Sequence, residues 1–267
     1  MLRRVKEVIK RTPLAVPFIF AKSVVRRPHT QNNESAIIAD LVARYDPPKC
    51  FIEFGFGGWE FNCAGLAYDW EGFLLDGDAY SVKIAKTILP RQVRAEQLWL
   101  TRDTLKVVRD YARGRDIGIL SIDVDGNDYW LWKALEAYRP RVVVIEYVGA
   151  LGPDLSLRQR YDPQWRWDYS SRTCGSSLRA LEELGQEKGY RLVGCNITGG
   201  NAFFVRADLA TEEQFQAPFT TAQHYEAPKQ IPFRPQRGPK RNGRSARCAR
   251  GLAQPLRSAT SLNRAAA

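Results

Sequence analysis

The residues best suited to do chemistry are three aspartates within six positions: Asp123, Asp125 and Asp128 in the segment SIDVDGND. Closely spaced carboxylates raise one another's pKa values unless cations or hydrogen bonds compensate. They could therefore act as a general base, as acceptors that orient a hydroxyl group, or as ligands of a divalent metal ion. A calcium-binding loop is excluded, because Gly126 is not the sixth residue from Asp123 and Ala134 stands twelfth.

Asp123 and Asp125 are our primary candidates for catalysis. They follow an apolar run that predicts a buried strand, at the edge where an open α/β sheet binds its ligands. Continued alternation along this strand would point both side chains the same way. Glu146 ends the next predicted strand on the same rim and is the third candidate. Asp128 is interpreted as a carboxylate at a helix N-terminus, favoured by the helix dipole, and no metal ligands are assigned.

A glycine-rich turn, EFGFGGWE, follows the first predicted strand. Glycines at such a turn let the backbone approach a ligand closely. Asp76 ends the second strand, 23 residues after Glu53, where a carboxylate can accept hydrogen bonds from ribose hydroxyls. We therefore predict a cofactor site formed by Glu53, Gly55, Gly57 and Asp76. The alternative is a tight turn without a ligand.

The acidic residues of this turn indicate which cofactor it would bind. A dinucleotide fingerprint starting at Gly55 would require a glycine where Glu60 stands. Glu53 and Glu60 would also repel a pyrophosphate. S-adenosylmethionine has no phosphate and carries an ammonium group and a sulfonium, so it is the predicted cofactor.

Short β-branched runs alternate with helical patterns, which predicts a parallel sheet covered by helices. The last two strands, residues 190–195 and 201–206, are joined by only NITGG. Since this connection cannot contain a crossover helix, they should form an antiparallel hairpin. Further strands are expected at residues 50–54, 72–76, within 93–100, at 117–123 and 141–148, and helices at 35–45, 61–68, 79–89, 101–113, 127–138 and 176–189.

Several motifs in order resemble the FkbM-type branch of class I S-adenosylmethionine-dependent methyltransferases: EFGFGGWE, GFLLDGD, LSIDVDGNDYWLWKALE, RVVVIEY and GCNITGGNAFFV. The resemblance covers roughly residues 35–207. It implies a Rossmann-like, doubly wound, mostly parallel seven-stranded sheet with a reversed last strand. It also implies methyl transfer, with a glycan among the possible acceptors. The usual E/D-x-G-x-G-x-G pattern is altered, because the third glycine is shifted to Gly58 and Trp59 takes its place.

Residues 149–173 form a long irregular insertion rich in aromatic and arginine residues. Such a segment could bind the acceptor as a lid, or its tryptophans could simply anchor the loop to the core. Two tryptophans outside it, Trp130 and Trp132, are expected in the core. The residues of interest in the insertion are Tyr161, Trp165, Arg166, Trp167, Tyr169 and Arg172.

The net charge of +11 is concentrated at the ends of the chain. Residues 1–27 carry +7 and residues 232–267 carry +9, which leaves −5 for the middle. We predict a basic amphipathic segment over residues 1–34, a domain over 35–231 and a disordered basic tail over 232–267. The acidic domain argues against a nucleic-acid partner, whereas the basic ends could contact a membrane surface.

The predicted function is methyl transfer from S-adenosylmethionine to an oxygen or nitrogen of a small molecule or glycan. Five cysteines without a C-x-x-C pair indicate a reducing compartment, so a cytoplasmic location is expected, with peripheral membrane contact through the basic ends. Two alternatives stay open. One is a non-catalytic binding or assembly protein that retains the fold, and the other is a nucleic-acid methyltransferase.

Overall fold

The computed structural model describes four stretches of the chain, residues 15–23, 27–136, 138–168 and 174–229. The basic pattern of residues 1–14 and the tail of residues 232–267 lie outside the described residues. So do Tyr169 and Arg172 of the insertion. The proposed division of the chain at residues 34 and 231 stays a prediction.

The described residues contain a single seven-stranded sheet and seven α-helices. The strands are β1 (Cys50–Phe54), β2 (Glu71–Asp76), β3 (Val93–Gln97), β4 (Ile119–Ile122), β5 (Val142–Glu146), β6 (Tyr190–Cys195) and β7 (Asn201–Arg206). The helices are α1 (Ala15–Ser23), α2 (Glu34–Tyr45), α3 (Ala79–Ile88), α4 (Lys106–Ala112), α5 (Asp128–Ala134), α6 (Leu178–Glu187) and α7 (Thr221–His224), with a 3-10 turn at Gly149–Leu151.

The sheet has the strand order β3-β2-β1-β4-β5-β7-β6. Strand β7 is antiparallel to both of its neighbours, and the remaining pairs are parallel. This topology confirms the predicted fold class, including the reversed last strand and the hairpin of β6 and β7. The strand order reverses between β1 and β4, and such a switch point is where doubly wound sheets bind ligands.

The central strands are covered on both faces, which explains their continuous apolar sequences. All residues of β1 and β4 are buried. Along β5, Val143 and Ile145 enter a core formed with α4, α5 and α6. Val142 and Val144 enter a second core formed with α2 and α3. This strict alternation decides which face each polar residue at the strand ends will occupy.

Two predicted helices differ in the structure. The helix expected over residues 61–68 is wrong, since this segment forms consecutive turns closed by i to i+3 hydrogen bonds such as Ala64 N–H to Phe61 O. The helix expected from Thr101 is regular only from Lys106. Thr101 still caps the turn before it, because its hydroxyl accepts a hydrogen bond from the Thr104 amide at 3.3 Å.

Helix α1 packs against the domain through one face. Ala15 and Ile19 are buried in a small apolar cluster with Trp59 and Ile84. Val16 and Phe20, on the other side of the helix, are exposed. Within the described residues, no helix combines the length and apolar character needed to span a membrane.

Candidate functional site

Polar side chains gather on one face of the sheet at its carboxyl edge, the face that carries α2 and α3. Glu146 extends the row of β5 valines that points to this face, and it pairs with Asn201 of β7. On the neighbouring strands, Glu53 pairs with Ser121, and Asp123 follows Ser121 by two residues. Because strand side chains alternate between faces, these residues share one side of the sheet.

Three carboxylates converge at this edge. One oxygen each of Asp123, Asp125 and Glu146 lies within 4.8 Å of the other two. Asp123 and Glu146 are half-buried, and Asp125 is exposed. The structure therefore brings together all three residues assigned to catalysis from the sequence, and we call them the acidic cluster.

The sequence analysis expected Asp125 to point the same way as Asp123 because the strand would continue through both residues. This reason is wrong. Strand β4 ends at Ile122, and Asp125 has a left-handed φ of 57°. The loop is closed by Asp128, whose carboxylate accepts hydrogen bonds from the amides of Val124 at 2.8 Å and Gly126 at 2.9 Å. Asp128 is the first residue of α5 and fully buried, so it fixes the loop that presents Asp125.

Burial and like charge both raise the pKa values of the acidic cluster. The pKa of Asp123 lies well above its ordinary value, first because the carboxyl group loses contact with water and then because Asp128 and Asp125 repel its charge. The pKa of Glu146 is raised in the same way, by burial and by Asp123. These carboxylates are therefore easier to protonate than exposed ones.

The glycine turn that follows β1 lies against residues 123–127 between β4 and α5, which we call the acidic loop. Gly55 has a φ of +74°, and a Cβ atom added there would lie 1.6 Å from the backbone oxygen of Asp123. Gly58 also has a positive φ, +76°, and faces Ile84. Gly57 has no such requirement, since a Cβ atom there would meet Glu60 at an ordinary 3.4 Å. The shifted third glycine, Gly58, is thus demanded by the backbone itself.

Asp76 links the end of β2 to the glycine turn. Its carboxylate accepts hydrogen bonds from the amides of Phe56 at 2.9 Å and Asp78 at 2.5 Å. Burial raises the pKa of Asp76, while these two hydrogen bonds act in the opposite direction. Asp76 therefore lies beside the glycine turn, and its role in binding a ribose stays a prediction.

Glu53 lies in the interior, beneath the turn. Its side chain is 1% exposed and accepts hydrogen bonds from the amides of Asn62 at 2.6 Å and Cys63 at 2.9 Å. Burial raises its pKa to about 7. Glu53 thus organises the chain after the glycine turn, and any effect on a cofactor would act through its charge or through this segment.

The covering segment, residues 155–168 of the insertion, lies over the carboxyl edge. The Trp165 indole donates a hydrogen bond to the backbone oxygen of Asp125 at 2.9 Å. The Trp130 indole likewise donates a hydrogen bond to the backbone oxygen of Gln159 at 2.8 Å. Trp132 is a core residue as expected, but Trp130 is half-buried and belongs to this rim.

Aromatic and arginine side chains stack on one another along this rim. The Arg102 guanidinium lies 4.7 Å from the centre of the Trp130 ring and 4.1 Å from that of Tyr161. Arg166 lies 3.9 Å from the centre of the Trp99 ring. The sequence analysis did not identify Trp99 and Arg102 as site residues. Their position shortly after β3 could have indicated that they lie at the carboxyl edge of the sheet.

A cavity of about 560 Å³ lies elsewhere, against β2, β3 and α4. Its lining includes Glu71 and Gly72 at the start of β2, together with Arg94 and Tyr111. Parallel strands bind ligands at their carboxyl ends. This cavity is therefore separate from the site described above.

Comparison with known proteins gives matches to solved structures only. No protein-family model matches the chain, and no curated protein does. Cofactor-bound Rv0187 from MTB is 16% identical with a TM-score of 0.43, over 76% of this chain and 96% of that one. DesVI from Streptomyces venezuelae is 14% identical with a TM-score of 0.42, over 73% and 99%. CalS11, a TDP-rhamnose 3'-O-methyltransferase, is 16% identical with a TM-score of 0.35, over 55% and 76%.

Proposed function

We propose that this protein transfers a methyl group from S-adenosylmethionine to an oxygen or nitrogen atom of a small molecule or glycan. The observation that carries the proposal is the contact between the glycine turn and the acidic loop at the switch point of the sheet. Gly55 leaves β1 there and lies directly against the backbone of Asp123, which leaves β4. Open α/β sheets bind nucleotide-containing ligands at such a point.

The residues of the turn fit the cofactor chemically. Gly55 and Gly57 would let the backbone approach the ligand, and Asp76 would accept hydrogen bonds from the ribose. Although Asp76 already accepts two amides, each carboxylate oxygen has a further lone pair. The negative charge of Asp123 and Glu53 would attract an ammonium or sulfonium group and repel a pyrophosphate.

The acidic cluster would act on the acceptor. When bound, the cofactor supplies an electrophilic methyl group on a positively charged sulfur. Asp125, the exposed member, would orient the acceptor O–H or N–H group, and the cluster would take the proton that the acceptor loses. The raised pKa values of Asp123 and Glu146 move these groups toward the range in which a carboxylate is an effective base near neutral pH.

The covering segment would bind the acceptor molecule. Tyr161 and Trp165 present aromatic surface at the same edge as the acidic cluster, and aromatic rings bind the apolar face of a sugar or another ring. Arg102 and Arg166 add positive charge at this rim. This combination supports a small-molecule or glycan acceptor.

A thermal-shift comparison on the full-length chain tests the cofactor. S-adenosylmethionine and S-adenosylhomocysteine should raise the melting temperature, because a ligand of the folded state stabilises it by mass action. NAD⁺ at the same concentration should not. Stabilisation by NAD⁺ alone would overturn the assignment.

A methyl-transfer assay tests the activity and separates it from the alternatives. Labelled methyl groups should appear on a small hydroxyl or amine acceptor or on a glycan. Cofactor binding without transfer to any acceptor class would instead support the binding or assembly function. Transfer to an oligonucleotide would support a nucleic-acid methyltransferase.

A further inference from the structure

No lysine, arginine or histidine side chain among the described residues forms an ion pair with the acidic cluster. The neighbours that dominate the electrostatics of Asp123 and Glu146 are carboxylates. The ion pairs of the described residues involve other side chains. Three carboxylate oxygens within 4.8 Å of one another repel each other unless a cation lies between them.

A second observation comes from β7, the strand paired with β5, where a buried acceptor atom has no donor among the described residues. Asn201 is 4% exposed, and its Oδ1 has no hydrogen-bond partner among the residues that the structure describes. Its Nδ2 donates a hydrogen bond to Glu34 Oε1 at 3.3 Å. Rotating the amide group by 180° would replace this donor with Oδ1 and bring two acceptor oxygens together, so the amide orientation is fixed. Asn201 lies directly opposite Glu146 on β7, and cross-strand partners project from the same face of a sheet.

We propose that Asp123, Asp125, Glu146 and Asn201 bind one divalent cation at the carboxyl edge of the sheet. The donor set consists of oxygen atoms alone, which suits hard cations such as Mg²⁺, Mn²⁺ and Ca²⁺. Zinc, in contrast, prefers nitrogen and sulfur ligands. An ion would satisfy the orphaned Asn201 oxygen and the charge of the carboxylates together. The sequence analysis considered a metal role for the aspartates but assigned no metal ligands, and Asn201 was not a candidate there.

Asp128 would support this site without belonging to it. Its oxygens are not among the three that converge in the acidic cluster. They accept hydrogen bonds from the amides of Val124 and Gly126, and those bonds hold the loop that carries Asp125. The role of the ion in catalysis rests on the proposed function: an acceptor hydroxyl oxygen would complete its coordination beside the cluster. Binding of the ion itself is independent of that function.

Electron paramagnetic resonance of Mn²⁺ tests the proposal on the full-length chain after treatment with a chelator. The parent protein should bind one Mn²⁺ with saturation, and Mg²⁺ or Ca²⁺ should compete. Asp125→Asn and Glu146→Gln should each weaken binding by roughly tenfold to a hundredfold or more, given that even supporting residues of metal sites have effects of this size. Asp154→Asn removes an exposed carboxylate outside the cluster and should bind as the parent does.

Two results would overturn the site: no saturable Mn²⁺ binding at millimolar concentration, or parent-like binding by Asp125→Asn. This variant decides the matter even if Glu146→Gln fails to fold. Asp125 is exposed and has a left-handed φ, a conformation that asparagine adopts readily.

The proposed function can fail independently of the cation site. Mn²⁺ binding without any binding of S-adenosylmethionine would contradict the proposed function and leave the cation site standing. Methyl transfer unaffected by chelator, together with no Mn²⁺ binding, would overturn the cation site alone.

Discussion

Gly55 approaches Asp123 so closely that a Cβ atom at position 55 would lie 1.6 Å from the Asp123 backbone oxygen. This contact joins the turn after β1 to the loop after β4. The two segments carry the residues assigned to the cofactor and to the acceptor, respectively. Their relative position is therefore set by backbone packing, and the glycine would be required even if no ligand were bound.

We expect Gly55→Ala to lower the free energy of unfolding by about 2–5 kcal/mol, from the left-handed φ and the backbone overlap together. Gly114→Ala is the matched control. Gly114 has the same φ of +74°, but a Cβ atom added there would have no atom of the described residues within 4 Å, so only about 1–2 kcal/mol should be lost. Urea unfolding measures both. Equal losses would show that the contact with Asp123 contributes nothing.

Asp76→Ala should weaken S-adenosylmethionine binding by about 1–3 kcal/mol, the range for hydrogen bonds to a charged group. Calorimetry measures the affinity. Thermal unfolding of the protein without ligand measures the loss of stability that comes from the missing hydrogen bonds to Phe56 and Asp78. Asp69→Ala, which removes an exposed carboxylate from a turn, serves as the control. Unchanged affinity in Asp76→Ala would remove Asp76 from the ribose site.

Asp125→Asn should reduce turnover by roughly 100-fold to 10,000-fold, the usual contribution of a general base, and should leave cofactor affinity almost unchanged. The substitution retains the size and backbone preference of the residue and removes its basicity. Calorimetric cofactor binding and a methyl-transfer assay on the same sample separate the two effects. Loss of affinity along with rate would assign Asp125 to the cofactor, and a change in neither would make Glu146 the next residue to test.

Glu53 should make stability depend on pH. Because its pKa rises from 4.5 to about 7 on folding, the folded protein binds an additional proton between these values. Its stabilising contribution is complete below about pH 4.5 and is lost as the pH rises through 7, by about 3 kcal/mol in total. The difference in unfolding free energy between parent and Glu53→Gln should follow this curve.

Urea titrations between pH 4 and pH 8 would measure that difference. Glu212→Gln changes an exposed glutamate and should differ from the parent by a constant amount over the same range. A constant difference for Glu53→Gln as well would mean that folding does not change the pKa of Glu53.

Much of the fold follows from local patterns in the sequence. The apolar runs CFIEF and VVVIE are long enough to be buried on both faces, and they became β1 and β5. The five-residue link after Cys195 is too short for a crossover helix and required the antiparallel hairpin. Asp76 and Glu146 could be placed at the carboxyl edge because each ends a strand of this type.

Tertiary contacts decided what those residues meet. Glu53 took the interior because the amides of Asn62 and Cys63 turn back toward it. The distance between Glu146 and Asp125 depends on the pairing of β4 with β5 and on a left-handed residue held by Asp128. Asn201 became the neighbour of Glu146 only through the register of β5 with β7. Such contacts join residues far apart in the chain, so no local pattern could specify them.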